Sequence, residues 1–187
     1  MEMTGEQLIP VPQAEVWRGL NDPEVLKACI AGCESIEKVS DNEYKVVIVA
    51  AVGPVKAKFS GKLLLSDLNP PNSYSLSFEG SGGAAGFGKG GAQVSLKSEG
   101  AGTRLSYSAK ASVGGKLAQV GSRLIDGVAR KMADDFFVAF NENLAGVSGT
   151  EDVTVPVGTK KKIHPAWWVA GAVLVALLVY LALQPAH

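Results

Sequence analysis

Histidine is almost missing from this chain of 187 residues: only His164 and His187 occur. Every residue before His164 is therefore outside Ser-His-Asp or Cys-His catalysis and outside any histidine-ligated metal site. Cysteine is equally scarce. Cys29 and Cys33 are spaced C-x3-C with no second pair and no neighbouring His, which argues against zinc and for two reduced thiols behaving as small hydrophobes. No charge surplus exists, because 18 Lys+Arg balance 18 Asp+Glu. A nucleic-acid partner, whose recognition needs a basic excess, is not expected. Met1–Gln13 holds two Glu and no apolar run, so no secretory leader is expected. Neither a metal nor a catalytic residue set emerges from this inventory.

Only one long apolar run is present, Ala166–Leu183, and it contains no charged residue. As a helix it would measure about 27 Å, close to a bilayer's hydrocarbon core. Trp167 and Trp168 stand at one end and Tyr180 near the other, while Lys160, Lys161 and Lys162 precede it. Aromatic residues mark membrane interfaces and lysines stay on the cytoplasmic side. The chain thus divides into a folded domain over 1–146, a polar linker over 147–163, a transmembrane helix over 164–184 and a tail over 185–187. The expected location is the inner face of the cytoplasmic membrane, single-pass, with the N-terminal domain in the cytoplasm. A coil as long as this linker reaches roughly 23 Å, which keeps the domain near the headgroups.

Within the domain, Gln13–Leu20 and Pro23–Ala31 read as short helices, the second with Asp22 as N-cap and Pro23 at its first position. From Ile36 the period becomes two. Val55, Ala57, Phe59, Gly61, Leu63 and Leu65 alternate with mostly polar neighbours, and the pattern recurs around Tyr74–Phe78, Ala92–Leu96 and Leu105–Val113. This predicts an antiparallel sheet with one wet face and one apolar face. Lys116–Leu144 then carries Leu117, Val120, Leu124, Val128, Met132, Phe136, Phe140 and Leu144, read as one stripe on one long helix. The economical architecture is α+β, a helix-grip fold in which a curved antiparallel sheet wraps around the long C-terminal helix.

Gly80–Gly91 holds seven glycines in twelve residues, including Gly86-x-Gly88-x-x-Gly91. A dinucleotide site would need a helix next, yet Ala92–Glu99 alternates as a strand. The stretch reads as a hairpin connection or as a mobile flap, with Phe87 either a core plug or a ligand contact. Inward positions Ala57, Gly61, Ala92, Ala109 and Ala111 are small. They either let the helix approach closely or leave space for a lipophilic ligand.

Ile9-Pro-Val-Pro-Gln-Ala-Glu-Val-Trp17, Leu20-Asn-Asp-Pro-Glu-Val-Leu26, Cys29-Ile-Ala-Gly-Cys-Glu34 and Val113-Gly-Gly-Lys-Leu-Ala-Gln-Val-Gly-Ser-Arg-Leu-Ile125, followed by Phe136-Phe137, resemble the family of the carbon monoxide dehydrogenase subunit CoxG. It belongs to the SRPBCC (START and Bet v 1-like) superfamily. The likeness covers about residues 1–145, and Ala31 stands where the family usually has Pro. It implies a helix-grip domain with an apolar cavity, association with a molybdenum hydroxylase of the carbon monoxide dehydrogenase type, and its recruitment to the membrane.

The expected function is a non-enzymatic, membrane-anchored accessory protein. It would bind a lipophilic molecule, a respiratory quinone (menaquinone or ubiquinone), and link the hydroxylase to the respiratory chain. Expected cavity contacts are Phe59, Phe78, Phe87, Tyr107, Leu117, Leu124, Val128 and Met132. The alternatives are a structural tether without ligand and a cyclase- or hydrolase-like enzyme on small lipophilic substrates.

Overall fold

The alternating stretches form seven strands, and the computed structural model describes residues 1–148. In chain order these are β1 (Glu2–Ile9), α1 (Gln13–Leu20), α2 (Pro23–Cys29), β2 (Cys33–Lys38), β3 (Glu43–Val52), β4 (Val55–Asn69), β5 (Ser73–Ser81), β6 (Phe87–Glu99), β7 (Gly102–Gly114), α3 (Lys116–Gln119) and α4 (Ser122–Ser148). The strands make one sheet ordered β1-β7-β6-β5-β4-β3-β2, antiparallel at every pairing. The linker 147–163 falls outside these residues except at its first two positions. The apolar run, with Lys160, Lys161, Lys162, Trp167, Trp168 and Tyr180, lies wholly outside them. Among the described residues no helix is long and apolar enough to cross a membrane.

Local chemistry explains the element ends. Asp22 caps α2, its carboxylate accepting from the Glu24 amide at 2.9 Å. Gly53 at φ +57° and Gly100 at φ +61° occupy the left-handed region in the tight turns after β3 and β6. Gln13 staples the start of α1 to the sheet, donating to the carbonyls of Pro71 at 3.1 Å and Leu96 at 3.0 Å and accepting from Ser98 at 2.9 Å.

Three expectations change. The chain reads as extended from Glu6 to Val11 on its sequence, ended by Pro10 and Pro12, but β1 starts at Glu2, because pairing with β7 orders the whole segment from Glu2↔Lys110 to Ile9↔Thr103. The C-terminal helix is not continuous from Lys116. Gly121, at φ +93°, separates the short α3 from α4. The apolar stripe also winds around the helix. Each step of four residues overshoots a full turn by about 40°, so Leu124 to Leu144 drifts by about 200°. Phe140 is consequently 0% exposed whereas Leu124 is 41% exposed.

The core occupies one end of the sheet. Ile9, Val11, Tyr44, Leu65, Leu96 and Leu105 meet Val16 and Leu20 of α1 and Phe137, Phe140 and Leu144 of α4. Burial of a side chain such as Phe140 contributes about 1.5–3 kcal/mol. Thr103, the buried polar residue here, is satisfied by donating its hydroxyl to the Val11 carbonyl at 2.8 Å.

Candidate functional site

Toward the other end of the sheet the inner face carries smaller residues. By register, one inward row runs Val46↔Gly61↔Gly80 and the next runs Tyr44↔Leu63↔Phe78↔Gly90↔Ala111. A third runs Leu65↔Leu76↔Ala92↔Ala109. Small residues therefore dominate the middle of the inner face. Helix α4 comes near β1 and β3, and its last half packs Phe137, Phe140 and Leu144 into the core over the sheet. The small positions make this part of the inner face the candidate cleft. Its floor includes Phe78, Ala92, Ala109 and Ala111, all half-buried. Its roof is the first half of α4. The winding helix face turns Ile125, Ala129 and Met132 toward the sheet there, and these too are half-buried.

Glycines explain how aromatic side chains coexist with this space. A Cβ added to Gly90 would lie 2.8 Å from the Phe78 ring, at Gly82 2.6 Å from Phe59, and at Gly5 2.6 Å from Tyr107. Each ring lies close over the bare backbone of a nearby glycine. This close ring approach is what the glycines permit.

The expected contacts scatter accordingly. Phe59 and Phe78 lie on the inner face, with Val128 and Met132 on the helix that covers it. Tyr107 closes the inner end of the cleft. It stacks on Phe137 with centroids 5.6 Å apart, and Phe136 touches both Phe137 and Phe140. Burial pushes the Tyr107 hydroxyl above its ordinary value, with Asp134 adding to the rise and Arg130 opposing it. Leu117 is buried in α3 beside β7 and the turn after β5, apart from the roof. Leu124 lies against the β3–β4 turn, where a Cβ on Gly53 would sit 2.7 Å from its Cδ2.

Phe87 lies on the opposite face. It pairs with Ser81 and Gly114, covers Gly114 and is 48% exposed. Gly80–Gly91 is strand at both ends around a single 3-10 turn, Gly83–Ala85. A Cβ on Gly115 would meet Gly86 Cα at 2.6 Å, so this turn is pinned against the end of β7. In this structure the stretch is a hairpin connection between β5 and β6.

Sequence reasoning does not find Ala129, Ile125 or the Phe136–Phe137–Phe140 cluster as site residues; following the 40° drift along α4 would reveal them. Asp126, in the same half of the helix, has a buried Oδ1 with no hydrogen-bond partner. Cys29 is buried and Cys33 half-buried, both free. Burial raises both thiols, with Lys27 lowering Cys33 in part. Among the described residues no three or more His, Cys, Asp or Glu side chains gather as a metal site.

Comparison with known proteins agrees with this architecture. The family model for the carbon monoxide dehydrogenase subunit CoxG matches residues 5–145. A conserved protein from Geobacillus kaustophilus is 33% identical, covering 78% of this chain and 96% of its own, with a TM-score of 0.74. A protein from Thermus thermophilus is 20% identical over 79% of this chain and 99% of its own, at TM-score 0.61. Ara h 8.0201 is 17% identical over 78% of this chain and 98% of its own, at TM-score 0.59; these last two speak for the fold alone. No curated protein matches.

Proposed function

The chain belongs to the CoxG family of carbon monoxide dehydrogenase subunits, of Bet v 1-like fold, and on that premise we propose that it is a membrane-anchored carrier subunit holding a respiratory quinone in its cleft. The observation that carries this reading is the small-residue, apolar inner face of the sheet opposite the first half of α4. Sites of this kind, apolar with few polar groups, suit lipophilic ligands. Its partner is a molybdenum hydroxylase of the carbon monoxide dehydrogenase type, whose electrons need a lipophilic acceptor at the membrane. Ala166–Leu183 anchors the chain, and Lys160, Lys161 and Lys162 hold the domain on the cytoplasmic side. Menaquinone and ubiquinone both fit this description.

The test is solvent extraction of the full chain purified in detergent from a quinone-producing host, followed by mass spectrometry. Quinone near one per chain is expected for the wild type and little for Ala111→Trp, with unchanged circular dichroism. Equal quinone in both proteins, or none in either, would leave a tether without a ligand in this cleft.

A further inference from the structure

The outer face of the sheet carries two adjoining depressions, of about 760 and 520 Å³. They share Lys62, Glu79 and Lys89 and so form one groove across β3–β7. Its cause is a contrast in side-chain size. Ser60, Ser77 and Ser81, with the chain at the inner-face positions Phe78, Gly90 and Ala111, give a low floor, while lysines and two large apolar residues form the rim. Leu64 and Phe87, each 48% exposed, flank the row Lys45↔Lys62↔Glu79↔Lys89 on either side.

The charge of this groove departs from that of the chain. Four lysines, Lys45, Lys62, Lys89 and Lys110, face two glutamates, Glu43 and Glu79, although the whole sequence is neutral. Lys62 pairs with Glu43 at 3.8 Å and Lys110 with Glu2 at 3.2 Å. Lys45 and Lys89 have no ion pair among the described residues. They stand three strand spacings apart, about 14 Å. The groove lies on central strands, since β1 and β2 are the sheet edges. An occupant therefore cannot add as a further strand and must be held by side chains. A concave, cation-rimmed groove with apolar residues on both sides fits a protruding polypeptide better than a flat bilayer.

We propose that this outer face docks an acidic, partly apolar surface segment of the partner enzyme, with carboxylates reaching Lys45 and Lys89 and an apolar side chain resting on Phe87 or Leu64. The inference rests on the enzyme partnership proposed above but not on what the cleft binds. It also gives the two faces of the sheet separate tasks, ligand inside and partner outside.

The test uses the full chain in neutral phosphatidylcholine nanodiscs and carbon monoxide dehydrogenase purified from the same organism. Lys45→Glu with Lys89→Glu should weaken binding at least tenfold and flatten its salt dependence. Lys45→Arg with Lys89→Arg should preserve both. Lys97→Glu, about 26 Å away along β6, is the control and should bind as the wild type does, and thermal melts should show all variants folded. Wild-type binding that survives the glutamate pair overturns this docking surface and leaves the partnership intact. Absence of wild-type binding overturns both. Lysine-dependent binding to phosphatidylglycerol vesicles instead of the enzyme would make this a lipid-facing surface and also overturn the proposal.

Discussion

At the scale of single residues, burial without charge is the recurring theme. Tyr74 is buried, and desolvation pushes its hydroxyl well above the ordinary phenol range, with Tyr44 adding to the rise. Tyr44 is itself raised chiefly by burial and donates its hydroxyl to the Asn21 carbonyl at 3.2 Å. Cys29 and Cys33 shift upward for the same reason. Near neutral pH these groups are protonated in both folded and unfolded chains and contribute no pH dependence. Above the ordinary values, 9.0 for thiols and 10.0 for phenols, the unfolded chain releases protons that the folded chain keeps. Stability must then fall as pH rises. Thermal melts should be flat from about pH 7 to 8.5 and decline beyond, and Tyr74→Phe should make that decline shallower. A melting temperature that holds steady through pH 11 would contradict this account.

At the scale of elements, α4 is the informative case. The strands are legible because a period of two repeats without drift, and register keeps every inward residue inward. Asp22 and Pro23 likewise announce the start of α2. The helix is legible as apolar and long, but its facing residues are not, because a spacing of four winds around an axis of 3.6 residues per turn. Phe140→Ala should cost about 3–5 kcal/mol in urea unfolding. Leu124→Ala, at an exposed flank, should cost less than about 1 kcal/mol. Similar losses for the two would mean that the stripe does not wind. The same geometry makes Leu124 a poor position for blocking the cleft and Ala111 or Ala129 better ones. Phe87 escapes a sequence reading for a related reason. The glycines around it break the hydrophobic alternation that would assign its face, and only pairing with Ser81 and Gly114 does so.

At the scale of the whole molecule, the buried core of the described domain gathers at one end of the sheet. That end joins α1, α2 and the last half of α4 to the strands; the candidate cleft lies toward the other end. The proposed membrane attachment rests on the sequence beyond residue 148 and is tested by cutting there. The full chain should sediment with membranes, and a chain ending at Ser148 should remain in the supernatant with its circular dichroism intact. A truncated chain that still pellets would assign membrane binding to the domain itself.

The sequence alone determined the antiparallel sheet, its two unlike faces, the α1–α2 pair and the family. These follow from local periodicity, caps and motifs, which involve residues close along the chain. Tertiary structure decided which half of α4 is core and which is roof. It also laid the Phe78 and Tyr107 rings over glycines on neighbouring strands and the Phe59 ring over Gly82 beyond β5, and gathered lysines from β3, β4, β6 and β7 around one groove. Such outcomes depend on strand order and register, which bring together residues far apart in sequence, and no local pattern encodes those distances.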